Sequence, residues 1–175
     1  MAEHIIDTAQ LKEKAPLLCA GDRVLLSGTV YTSRDAAHKR IVSLINEGGE
    51  LPFSLEGACV YYAGPTPAPE GLPIGSCGPT TSCRMDPFAP LLLDNGLTAM
   101  IGKGERNADV CDAIRRNKAV YLCAIGGAGA LAAGCVEECE EIAFEDLGCE
   151  SVKRIKIKNF PLIVGIDCHG GTMFK

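Results

Sequence analysis

The longest uncharged run in the chain, Ala119 to Val136, is 18 residues and so formally reaches the length of a membrane-spanning helix. Its composition argues otherwise. Gly126, Gly127, Gly129 and Gly134 interrupt it, and alanine makes up most of the other residues after Ile125, whereas the opening stretch AVYLCAI is apolar and partly β-branched. The run therefore reads as a buried strand, a glycine turn and a helix that small residues let pack closely. A buried strand next to a helix implies a sheet covered by helices, and the rest of the chain has to supply that sheet.

It does so with a changing hydrophobic period. Arg23 to Tyr31 (RVLLSGTVY) follows the turn signal Gly21-Asp22 and reads as a strand. From Arg34 to Glu47, Ala37, Ile41, Leu44 and Ile45 form a helical stripe closed by Gly48-Gly49, with Thr32 or Ser33 as the natural N-cap. Ala58 to Ala63 and Leu97 to Ile101 read as short strands, and Pro90 to Asn95 and Asn107 to Asn117 as helices, the latter with Val110, Cys111 and Ile114 inward. Residues 5–18 read as a short helix or turn. Val152 to Phe160 alternates, with Ile155 and Ile157 on one face and Lys156 and Lys158 on a solvated one, and Leu162 to Ile166 is a last strand. The fold class expected is α/β: a mixed sheet with flanking helices.

Length and charge limit the function. At 175 residues the chain is expected to form one domain, 1–175, that buries roughly 70% of the surface exposed when unfolded. A net charge of −5 argues against a general nucleic-acid binder, so any anion site is local. The start Met1-Ala2-Glu3-His4 lacks the basic flank and apolar stretch of a signal peptide, and a cytoplasmic protein with no membrane partner is expected. Ten cysteines form no CxxC pair, and Cys77/Cys83 and Cys135/Cys139 have neither zinc nor ferredoxin spacing. Most are expected to be small buried hydrophobes in a reducing compartment.

Three loops stand out. In Tyr31-Thr32-Ser33-Arg34-Asp35-Ala36-Ala37-His38 a strand gives way to a helix whose start carries Arg34, with His38 a turn later. Cations there oppose the helix dipole, which a bound anion or a nearby acid would offset. In Gly78-Pro79-Thr80-Thr81-Ser82-Cys83-Arg84-Met85-Asp86 a row of hydroxyl and thiol groups makes either a pocket wall or a capped helix start. Ile101-Gly102-Lys103-Gly104 sets one lysine between two glycines; Glu105 comes next, so the Walker pattern is missing. Gly127-Ala128-Gly129-Ala130-Leu131-Ala132 fits GxGxxA, a weak dinucleotide fingerprint when no βαβ unit surrounds it, and close helix packing is the preferred reading.

Taken in order, YTSRDAAHKR, YYAGP, GPTTSCRMD, IGKGER, AIGGAGAL, LGCES and FPLIVGIDCHG resemble the iron–sulfur-dependent hydro-lyases, the class I fumarases and L-tartrate dehydratases. The likeness is to their β-type half, a C-terminal domain or a separate β subunit, and it covers residues 15–172. It implies a swivelling β/β/α fold. It also implies a companion α subunit, in an α2β2 assembly, that holds a 4Fe-4S cluster on three cysteines, with no metal on this chain. By the same resemblance Arg34, Arg84 and Lys103 hold the substrate carboxylates and Thr80 is the catalytic base. Asp35, His38 and Thr81 support them, Asp35 and His38 by orienting Arg34 and the helix start. Cys83 stands where the family is expected to have a small residue. Fumarate hydration to L-malate is the activity implied first, conversion of L-tartrate to oxaloacetate the alternative, and a dinucleotide-binding module the reading from another class.

Overall fold

The computed structural model describes residues 1–174. These form seven strands, β1 (Glu3–Asp7), β2 (Arg23–Thr32), β3 (Cys59–Tyr61), β4 (Ala99–Gly102), β5 (Val120–Cys123), β6 (Val136–Ala143) and β7 (Val152–Ile166). The α-helices are α1 (Leu11–Lys14), α2 (Asp35–Glu47), α3 (Ala89–Asp94), α4 (Ala108–Arg116) and α5 (Gly129–Gly134). No helix among the described residues is long and apolar enough to cross a membrane. The uncharged run is indeed strand, turn and short helix.

β2, β3, β4 and β5 run parallel, and β7 lies antiparallel to both β5 and β2. Hydrogen bonding therefore closes on itself through five strands, while β1 adds to β2 and β6 to β7. The short central strands are apolar on both faces, as a covered parallel sheet requires. Tyr61, Ile101 and Leu122 face one core with Val30, Ile155 and Leu162. Their neighbours Val60, Met100 and Tyr121 face the other, with Ala37 and Ile41 of α2, Leu92 of α3 and Val110 and Ile114 of α4. Val110 and Ile114 point inward as expected, but Cys111 is half-buried.

Several local expectations are corrected. Residues 3–7 form a parallel edge strand, with Ile6 buried and Ile5 exposed, rather than entering as a helix. β6 carries four glutamates on an edge and is held by cross-strand charge: Lys156 lies 3.6 Å from Glu138 and Lys158 3.8 Å from Glu137. The exposed lysines of β7 thus have partners. The two C-terminal strands are one. β7 runs through Pro161, with a bulge opposite Ser27 where Asn159 takes a φ of 50° and its N–H donates to Ser27 Oγ at 2.9 Å. All ten cysteines are free, but only Cys59 and Cys77 are buried; Cys19, Cys83 and Cys149 are exposed and five are intermediate. Two cysteines are thus fully buried, the five intermediate ones pack against the cores, and only the three exposed ones depart wholly from the expectation.

Because β2 to β5 are parallel, their carboxyl ends share one edge, and the segments leaving them emerge side by side. In parallel α/β sheets, open or closed, ligand sites lie at the carboxyl ends of the strands.

Candidate active site

Arg34 is itself the N-cap of α2, extended at φ −118° and ψ −164°, with no side-chain cap bond. The expected caps are diverted: Ser33 Oγ lies 2.8 Å from His38 Nδ1, and Thr32 Oγ1 accepts the Lys153 N–H at 3.1 Å. His38 Nδ1 also lies 2.9 Å from the Arg34 carbonyl oxygen, which ties the imidazole to the start of α2. The imidazole is fully buried between Tyr62 and Phe88, and burial holds its pKa down at about 4. It stays neutral at neutral pH.

The Arg34 side chain passes through a slot. A Cβ on Gly64 would sit 2.8 Å from Arg34 Nη1 and 3.3 Å from the Cys149 carbonyl oxygen, so a larger residue there would push the guanidinium aside. Arg34 Nε lies 3.4 Å from Glu150 Oε1. Asp35, by contrast, does not orient Arg34. It receives Arg84 side-on, with Nε donating to Oδ1 at 3.0 Å and Nη2 2.9 Å from Oδ2.

The segment carrying Arg84 bridges the ends of β3 and β4. The Thr80 N–H donates to the Tyr62 carbonyl at 2.6 Å, and Thr81 pairs with Lys103 in an isolated parallel bridge. The Ser82 N–H donates to the Lys103 carbonyl at 2.9 Å, and the Lys103 N–H to Ser82 Oγ at 3.0 Å. Ser82 to Met85 form one 3-10 turn with Thr81 at its N-cap position, but without a side-chain cap hydrogen bond. Gly102 makes this approach possible, since a Cβ there would lie 1.9 Å from Ser82 Oγ. Thr80 is half-buried and Cys83 exposed. The Lys103 side chain is half-buried against the glycine turn, where a Cβ on Gly126 would meet its Nζ at 3.8 Å.

Beneath this surface lies a buried pair the sequence did not suggest. Arg106 Nε donates to Asp86 Oδ1 at 2.6 Å, and the guanidinium stacks against Tyr62 and Tyr121 at 5.2 and 5.0 Å. Asp86 Oδ2 also accepts the Asn107 N–H at 2.8 Å, tying the second loop to the start of α4. Their place in the strings GPTTSCRMD and IGKGER was the available signal.

All the candidate residues thus gather on one edge: Arg34, Asp35 and His38 after β2, Thr80 to Arg84 across β3 and β4, and Lys103 after β4. The glycine motif contributes packing. The Gly129 carbonyl accepts the Cys77 N–H at 3.0 Å, and a Cβ on Gly129 would lie 2.3 Å from Ser76 Oγ. β6, the strand after α5, pairs antiparallel with β7, so the fingerprint lacks the βαβ unit that dinucleotide binding needs.

The family model described as Fumarase C-terminus matches residues 3–175. This chain belongs to that family. It is 41% identical over 155 residues to the mitochondrial fumarate hydratase 1 of Leishmania major and 39% identical over 155 residues to the anaerobic class I fumarate hydratase of Escherichia coli K12. Each match covers 87% of this chain but 28% of the relative, so the chain spans little more than a quarter of those fumarate hydratases. To the putative L(+)-tartrate dehydratase subunit beta of Methanocaldococcus jannaschii it is 34% identical over 170 residues, 94% of this chain and 87% of that relative.

Proposed function

We propose that this chain is the carboxylate-binding half of a fumarate hydratase, interconverting fumarate and L-malate at a site completed by a cluster-bearing α subunit, in an α2β2 assembly in the cytoplasm. One observation carries the reading: Arg34, Arg84 and Lys103 lie on three loops that leave the shared carboxyl edge of β2 to β4, and the Thr81–Lys103 bridge and the Arg84–Asp35 pair tie these loops together. Three cations suit a substrate with two negative charges.

Among the described residues no three His, Cys, Asp or Glu side chains group so as to hold a metal ion. The two buried cysteines are poor ligands as they stand, because burial raises both thiols, that of Cys77 to about 12. The described side chains offer no such ligand set as they stand, and the four-iron cluster is assigned to the companion by the family resemblance. What this chain does is bind and orient. Arg34 and Arg84 hold carboxylates through the N–H groups that Glu150 and Asp35 leave free, and Lys103 adds a third positive contact. Thr80 is assigned the proton at the substrate carbon. A threonine hydroxyl is a weak base unaided, so it needs an acceptor on the companion chain.

Tartrate dehydration is the second reading, favoured by the near full-length match to a tartrate dehydratase β subunit. The test is anaerobic assay of the complex with both substrates. At least tenfold higher kcat/KM for fumarate supports the first reading and a preference for tartrate the second. Turnover of neither, or turnover by this chain alone, defeats both.

A further inference from the structure

Resting on that reading of the site, we infer that Glu150 is a positioning residue for Arg34, and that YYAGP and LGCES serve to build the slot that aims the Arg34 guanidinium. Three observations lead there. The space at Gly64 is tight, since a Cβ there would lie 2.8 Å from Arg34 Nη1, 3.0 Å from Arg34 Cδ and 3.3 Å from the Cys149 carbonyl oxygen. Glu150 addresses Arg34 at Nε, and both side chains are largely buried, at 22% and 28% exposure. Arg34 Nε and Glu150 Oε1 are both buried without a hydrogen-bond partner, so each faces the other across 3.4 Å as an ion pair that nothing else competes for.

The segment bearing Glu150 is itself strapped to α2. Arg40 donates through Nη1 to Asp146 Oδ1 at 2.8 Å and lies over the Phe144 ring at 5.2 Å. Glu150 is thus delivered to the head of the same helix that Arg34 caps. An acid at Nε engages one edge of the planar guanidinium and leaves the Nη1/Nη2 fork for an incoming carboxylate. The pairing repeats at Arg84, which Asp35 takes from the Nε side. Both arginines are therefore held from behind. A guanidinium held this way binds ground state and transition state alike, so loosening it acts on KM more than on kcat.

Two measurements test this. In the anaerobic complex, Glu150→Ala is expected to raise KM for the dicarboxylate at least fivefold with kcat changed less than twofold, and Glu150→Gln, which keeps an acceptor oxygen, to recover KM to within twofold of wild type. In the full-length chain labelled with 15N, the Arg34 Nε–H signal at pH 6, assigned by its loss in Arg34→Lys, is expected to be present in wild type and Glu150→Gln and to exchange away in Glu150→Ala. An Arg34 signal unchanged by Glu150→Ala overturns the inference, whatever the complex turns over. A wild-type complex with no dicarboxylate activity defeats the reading of the site instead.

Discussion

Arg84 lies side-on against Asp35, with its Nε 3.0 Å from Oδ1 and its Nη2 2.9 Å from Oδ2, so the residue directly after one candidate arginine anchors the other. The first and second loops are thereby one unit, and the third joins through the Thr81–Lys103 bridge. An ion pair with side chains 51% and 31% exposed adds little to stability. Its value lies in fixing a guanidinium plane.

Asp35→Ala should therefore separate activity from folding. The expected loss is about tenfold in kcat/KM, or about 1.4 kcal/mol of transition-state stabilisation, with unfolding free energy changed by less than about 1 kcal/mol. Steady-state kinetics of the complex and urea denaturation of the chain check the two halves.

Arg106 should behave in the opposite way. Its side chain is fully buried against Asp86, and removing one member of such a pair leaves the other charge unpaired, at a cost of about 3–5 kcal/mol. Arg106→Ala is expected to lower the urea midpoint sharply. Arg116→Ala, which breaks the exposed pair with Asp94, is expected to move it far less.

The buried imidazole of His38 makes stability depend on pH in a defined window. Its folded pKa of about 4 lies below the ordinary value of 6.5, so between those values the unfolded chain binds the extra proton. Stability is complete above pH 6.5, falls as pH drops towards 4 and levels off below. A shift of that size is on the order of 3 kcal/mol. NMR titration should find the His38 ring neutral at pH 5, and a midpoint near 6.5 would contradict its burial.

The sequence was most legible where one residue type serves one purpose. Apolar runs such as AVYLCAI marked strands buried on both faces, and Arg34, Arg84, Lys103 and the hydroxyl row Thr80 to Ser82 stood out because cations and hydroxyls in glycine-rich loops have no place in a core. The family resemblance alone singled out Thr80. The features that stayed hidden depended on distant partners. β6 looks too acidic for a strand until Lys156 and Lys158 of β7 lie beside Glu138 and Glu137. β1 is half-exposed, and its register exists only against β2. Asp35 was assigned to its neighbour Arg34, but the chain turns it towards Arg84, 49 positions away. Glu150 reaches Arg34 only because the segment before β7 packs against α2.

The central claim is that planar, pre-aimed guanidinium groups at the strand edge bind the substrate carboxylates, and kcat/KM of the anaerobically assembled complex carrying Arg34→Lys or Arg84→Lys tests it most directly. Lysine keeps the charge and removes the fork, so each variant is expected to lose at least about tenfold, or about 1.4 kcal/mol. Wild-type kcat/KM in both variants would contradict the account.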